Sequence, residues 1–221
     1  MALEKAPGRV HAAYLFPVIV LFFILQPMAA LSKTATDLLG VPLALTLTVG
    51  IWSLDGRRTW TRVGVGIFAA ALLTAIAQRI APRLAFVVVG TLWLDLLALL
   101  CVVLGIRWLA ASRRITIESL LVAISLYLLL GILFAMLALG VFALEPGAYH
   151  GVSAGRVSKE VAELLYFSIG TITGTAYGDI LPTHPISRLL ANAEAVVGQM
   201  YMAVLVAMLV SNYAAGRSAE R

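Results

Sequence analysis

The sequence predicts an all-α membrane protein with six transmembrane helices and a short re-entrant helix and loop between the fifth and sixth. Three observations carry that expectation. Of 221 residues, 62% are hydrophobic and only 12% are charged, about half the charge density that a soluble surface needs. The apolar residues gather in six runs near the roughly 20 residues of a bilayer-spanning helix. Between the last two runs lies a helix-forming segment of about 15 residues, too short to cross.

The first run, Ala12 to Leu31, follows Lys5 and Arg9 and ends near Ala29 and Ala30, so it also has the form of a secretory leader. Its removal would leave the C-terminus on the same side. Leu38 to Leu54 is the second run, near the lower length limit, with Pro42 in its first turn, where a missing N–H is tolerated. Asp55-Gly56-Arg57-Arg58 ends it. The third run, Val63 to Ala81, is cut from the fourth, Leu84 to Ala111, by Pro82, because the residue before a proline is pushed out of helical geometry. Ile117 to Leu144 and Ile186 to Ala214 complete the set, dividing the chain into a four-helix region, 1–111, and a C-terminal region, 112–221. The lone cysteine, Cys101, sits within an apolar run, allows no internal disulfide and fills space in a helix interface.

With six spans and both termini cytoplasmic, ten of the 16 Lys and Arg residues fall inside, among them Lys5, Arg57, Arg58, Arg107, Arg113 and Arg114. That bias follows the positive-inside rule and places the loop after the fifth span outside. The basic excess is thus a membrane-orientation signal; no basic patch interleaved with aromatics points to nucleic acid.

Residues 145–157 carry Pro146, Gly147, Gly151 and Gly155 and form a polar extracellular turret. Ser158 is the expected N-cap of a helix over 158–172, with Glu160 and Glu163 in its first turns, where the helix dipole favours acids. The helix's negative C-terminal end then faces the following loop, Thr173-Gly174-Thr175-Ala176-Tyr177-Gly178-Asp179. Non-helical backbone at membrane depth is tolerated only where it is buried in protein or lines water.

That loop, with Tyr166-Phe167-Ser168, Thr171 and Pro182 in register and Glu194-Ala195-Val196-Val197-Gly198-Gln199-Met200-Tyr201 after it, resembles the pore of bacterial channels of the potassium channel superfamily, over the chain from Ile117 onward. The resemblance implies an outer helix at 117–144, the turret, a pore helix at 158–172, a selectivity filter at 173–179 and an inner helix at 186–214. It implies a homotetramer, since one loop supplies a quarter of a four-fold filter, and K⁺ held by the carbonyls of Thr175, Ala176, Tyr177 and Gly178 in place of its hydration shell. It also implies a bacterial inner-membrane protein with no cofactor beyond the permeant cation. The first four helices resemble the six-helix layout only in number and length.

Three consecutive residues depart from the family's pattern. Gly174 stands where the family has a threonine whose hydroxyl lines the innermost ion site, Thr175 replaces an aliphatic residue, and Ala176 replaces the first glycine of Gly-Tyr-Gly. Pointing successive carbonyls at one axis needs backbone of alternating hand, and a Cβ in left-handed geometry costs about 1 to 2 kcal/mol. Either the ring at Ala176 is strained or its carbonyl turns away. Gly174 removes a side-chain ligand, and Thr175 offers a hydroxyl either to the pore or to a hydrogen bond behind it. The expectation is that the outer rings of Tyr177 and Gly178 persist while the inner sites weaken.

The other candidates each carry two readings. Gly198 is a gating hinge or a site of close packing. Glu194 is a functional intramembrane acid or a hydrogen-bond partner of the pore helix. Asp179 braces the filter or coordinates an ion; Tyr166 and Phe167 form an aromatic cuff or pack ordinarily. Gln199, Ala203, Ala207 and Ser211 recur every four residues and are candidates to line a cavity. His150 and His184 are pH sensors or plain loop residues. Asp95 pairs with Gln78 or Arg79 or serves an ion pathway. Leu84 to Ala111 holds one arginine, Arg107, where a voltage sensor needs several at three-residue spacing, so voltage dependence should be weak or absent. Arg107, Arg113 and Arg114 are a candidate contact for anionic lipid headgroups, although membrane orientation alone explains their charge.

A tetrameric cation channel with passive K⁺ permeation, its selectivity open to relaxation, is the leading expectation. A non-conducting accessory scaffold that keeps the pore fold and a channel non-selective between Na⁺ and K⁺ are the alternatives. Transport by inverted repeats lacks a second interrupted helix, and an enzyme lacks a His, Cys and acid cluster.

Overall fold

The computed structural model describes residues 15–31, 40–55, 58–80, 84–111, 116–155 and 157–219. Among them are seven helices, α1 (Leu15–Leu31), α2 (Gly40–Asp55), α3 (Arg58–Ile80), α4 (Leu84–Ala111), α5 (Ile117–Leu144), α6 (Val157–Ile172) and α7 (Pro185–Ala219), and two short strands, β1 (Tyr149–His150) and β2 (Leu181–Pro182).

Four of these helices are long and apolar enough to cross a membrane, over Thr59–Gln78, Ala85–Ala110, Ile117–Leu144 and Pro185–Met208. Six were expected. Helices α1 and α2 have 17 and 16 residues, a rise of about 25 Å against a hydrocarbon core of about 30 Å. Pro42 lies in the first turn of α2, as its missing N–H requires. Helix α3 begins at Arg58, so Arg58 and Arg62 belong to the helix and not to the preceding linker. The break at Ala81-Pro82-Arg83 lies outside the described residues, as do Arg113 and Arg114.

Helices α2, α3 and α4 pack together, α4 lies along α5, and α1 rests on α5 and α6. The N-terminal helices therefore pack against α5 and α6 of their own chain. Leu47 and Ile51 of α2, Leu97 and Cys101 of α4, and Leu126 and Leu129 of α5 are fully buried in this layer. In lipid, close van der Waals contact between helices, not exclusion of water, holds such a layer together.

Local sequence explains the start of α5. The Thr116 hydroxyl accepts from Ser119 N at 3.2 Å, and Thr116 N donates to the Ser119 hydroxyl at 3.3 Å, a capping box that satisfies two otherwise orphaned donors. Helix α6 begins one residue earlier than expected, which puts Ser158 inside the first turn and not at the cap. The two acids of this helix reach back to the turret instead: Gly155 N donates to Glu160 Oε1 at 2.9 Å, and Ser153 N donates to Glu163 Oε2 at 2.7 Å. Lys159 joins them, 3.6 Å from Glu163 and donating to Ser153 Oγ at 2.9 Å.

The turret is tied to the segment after the loop. Strands β1 and β2 pair antiparallel, Tyr149 opposite Pro182 and His150 opposite Leu181. Thr183 N and the buried Ser187 hydroxyl both donate to Ala148 O, at 2.9 and 2.7 Å. His184 precedes Pro185, the first residue of α7, and acts there as a cap: its Nδ1 accepts from Ile186 N at 3.3 Å, and its N–H donates to Ser187 Oγ at 3.2 Å.

Candidate ion-conduction site

Helix α6 has 16 residues, a rise of about 24 Å, too little to span. It ends in two tightening bonds, Thr173 N to Ile169 O and Gly174 N to Thr171 O, both 3.1 Å. From there the chain leaves helical geometry and runs through Tyr177 to Asp179. Every second residue has positive φ: 75° at Gly174, 43° at Ala176 and 82° at Gly178. The backbone hand thus alternates along the loop, and Ala176, with a Cβ at positive φ, carries strain.

Residues 173–179 are all exposed, while Ile172 and Ile180 at either end are buried. A stretch of irregular backbone is thus presented on an open face and anchored at both ends. Ala176 N donates to Gly170 O at 3.0 Å, which fixes the loop against the end of α6. The Thr173 hydroxyl donates to Ile169 O at 2.7 Å and lies 3.0 Å from the Thr175 hydroxyl. With its one proton given to Ile169, Thr173 accepts from Thr175, so the Thr175 hydroxyl is engaged in bracing the loop.

Aromatic side chains hold the outer half. Tyr166 and Tyr177 stack with centroids 5.3 Å apart and planes 11° from parallel. Asp179 Oδ1 accepts from Ile180 N at 3.1 Å. Phe167 packs edge-on against Tyr149 at 5.4 Å. Burial pushes the Tyr149 phenol above its ordinary range, and its hydroxyl has no hydrogen-bond partner among the described residues.

The inner half rests on α5 and α7. Tyr127 donates its hydroxyl to Ile172 O at 2.9 Å, and Tyr201 donates to Ala123 O at 2.6 Å, their rings 5.5 Å apart. Ser168 lies within hydrogen-bonding distance of Gly131 O, at 2.6 Å, and of Glu194 Oε1. Glu194 is thus buried on α7 with its carboxylate facing Ser168 of α6. Gly198 is packed just as closely, since a Cβ there would stand 2.2 Å from Ile172 O. Only glycine fits that approach. Gln199 brings its amide to the innermost residue of the loop, with Nε2 at 3.1 Å from where a Cβ of Gly174 would sit.

Tyr127 and the pairing role of Tyr201 escaped the sequence reading. The signal was available: a tyrosine within an apolar helix must find a partner for its hydroxyl. Ala203 and Ala207 lie exposed on α7 below Gln199; the Ser211 side chain lies outside the described residues. Arg107 is exposed near the end of α4. Asp95 is buried in α4, and its Oδ1 has no hydrogen-bond partner among the described residues, so the pairing expected from Gln78 does not reach this oxygen; the Arg79 side chain lies outside the described residues.

Residues 122–214 match a family model described as an ion channel. The matched stretch runs from α5 through the turret, α6 and the loop into α7, and is similar to ion channels over that length. Comparison with the curated proteins returns no match.

Proposed function

We propose that this chain forms a homotetrameric cation channel in which 173–179 is the filter, passing K⁺ through backbone carbonyls with weaker discrimination against Na⁺ than an intact Gly-Tyr-Gly filter. The observation that carries the reading is the alternation of hand at Gly174, Ala176 and Gly178 in a loop exposed on one face. A short helix ending at such a loop directs its negative dipole end toward a cation there, and the carbonyl rings replace its hydration shell. Six membrane passes, with α6 re-entrant, complete the layout, α1 and α2 crossing at the short end of the allowed range.

Tyr177 and Gly178 supply the outer rings, held by the Tyr166–Tyr177 stack. The inner rings at Thr175 and Ala176 are softened by strain and by the missing side chain at Gly174. With Arg107 the only arginine in α4, opening should not depend steeply on voltage. The test is cation flux from purified protein in liposomes, combined with the mass of the assembled oligomer. A tetramer that conducts K⁺ supports the proposal; a tetramer that conducts nothing supports an accessory scaffold instead.

A further inference from the structure

Gly174 and Gln199 compete for one volume. A Cβ at Gly174 would lie 3.1 Å from Gln199 Nε2, tighter than an ordinary contact. Both residues are exposed on the protomer face that presents the loop, while Gly198, one residue earlier, is buried against Ile172. The buried neighbour fixes the rotation of α7, leaving Gln199 directed past the pore helix toward the inner end of the loop. The other polar side chain there, Thr173, has given its proton to Ile169 O. The next residues on the same stripe of α7, Ala203 and Ala207, are apolar. The Gln199 amide is therefore the polar group that α7 presents at the inner mouth.

We propose that the Gln199 carboxamide occupies the room left by Gly174 and is an ion-coordinating, specificity-determining group at the inner mouth of the filter. The inference rests on the tetrameric pore proposed above. A carboxamide has two N–H donors and one carbonyl acceptor. Its Nε2 is the atom nearest the Cβ position of Gly174, which leaves the oxygen for a partly dehydrated monovalent cation. Four such oxygens form a ring with the same kind of dipole as a peptide carbonyl, in place of the hydroxyl ring that Gly174 lacks. A Cβ at 174 would press on the amide, which would have to give by a few tenths of an ångström, and would strain a backbone at φ 75°.

The experiment compares Gln199→Leu, Gln199→Asn and Gln199→Glu with the wild-type full-length protein in planar bilayers, using K⁺, Na⁺ and internal Mg²⁺ as probes. Gln199→Leu keeps the bulk and removes the oxygen. Its K⁺/Na⁺ permeability ratio and K⁺ conductance should change roughly threefold to tenfold, the effect of one lost hydrogen-bond-scale interaction. Gln199→Asn, with the amide drawn back by one methylene, should fall between. Gln199→Glu should acquire block by internal Mg²⁺ that the wild type lacks. An amide that only props the loop would alter assembly or melting temperature and leave these ionic readouts unchanged. Wild-type permeability ratio and conductance in a tetrameric Gln199→Leu overturn the inference. If that variant does not assemble, a Gln199→Glu tetramer free of Mg²⁺ block overturns it equally. A wild-type protein that passes no cation overturns the pore proposal and this inference together; a conducting wild type with insensitive variants overturns this inference alone.

Discussion

Replacing Gly198 with alanine separates the packing reading from the hinge reading. The new Cβ would stand 2.2 Å from Ile172 O, 3.0 Å from Ile172 C and 2.7 Å from Ile172 Cγ1, against the 3.4 Å at which ordinary contact begins, so about 1.2 Å of movement is required. Two of the three obstacles are backbone, and no side-chain rotation relieves them. Overpacking of this kind costs about 1 to 3 kcal/mol. Moving Ile172 also disturbs the bond its carbonyl accepts from Tyr127 at 2.9 Å, about 1 kcal/mol more. Against this, alanine gains about 1 kcal/mol in helix propensity. The balance is a loss of about 1 to 3 kcal/mol per subunit. Because Thr173 follows Ile172, the displacement enters the filter, and K⁺/Na⁺ discrimination should change along with tetramer stability. Gly131→Ala is the control: its Cβ meets only the Ile169 Cδ1 tip, at 2.7 Å, a strain of about 0.5 to 1.5 kcal/mol that the propensity gain largely offsets. The assay is thermal dissociation of the proposed tetramer in detergent, with permeability ratios measured alongside. Wild-type stability and selectivity in Gly198→Ala, with altered opening kinetics, would refute the packing argument and restore the hinge.

Three further outcomes follow from the same geometry. Ala176→Gly removes a Cβ from a residue at φ 43° and should raise tetramer stability by about 1 kcal/mol per subunit; a lower dissociation temperature would show that the left-handed turn is not strained. The Ser168 hydroxyl has one proton and two acceptors, Gly131 O and Glu194 Oε1, so a partner able to donate should serve at 194. Glu194→Gln is accordingly expected to assemble like wild type, whereas Glu194→Ala, leaving a cavity and taking away one of the two partners of the Ser168 hydroxyl, should lose about 2 to 4 kcal/mol; equal loss in both would refute the bookkeeping. Tyr149→Phe deletes a buried hydroxyl without a partner among the described residues and keeps the ring on Phe167, so its melting temperature should be unchanged or slightly higher.

The helices were legible because lipid demands long apolar runs. The run Leu84 to Ala111 is α4 residue for residue, and Ile117 to Leu144 is α5. What failed was short or depended on partners distant in sequence. Strands β1 and β2 have two residues each and exist because Ala148, Thr183 and Ser187 tie the turret to α7; no alternating pattern announces them. The Ser158 cap was displaced because Glu160 and Glu163 reach the turret amides directly. Asp95 showed itself as a costly residue, yet its surroundings are set by how α4 meets its neighbours. In the loop, Tyr177, Gly178 and Asp179 marked the site. The hand taken by Ala176 and the meeting of Gly174 with Gln199 required the backbone to be seen, since both depend on how α7 approaches the end of α6.

The central claim is that 173–179 forms a conducting filter whose outer rings are sound and whose inner end is softened. The reversal potential of purified channels between K⁺ on one side and Na⁺ on the other tests it most directly. The account predicts a cation current that reverses on the K⁺-preferring side of zero, by less than a filter with an intact Gly-Tyr-Gly produces. A current carried by anions, no current, or a preference as strong as that of ordinary potassium channels would contradict it.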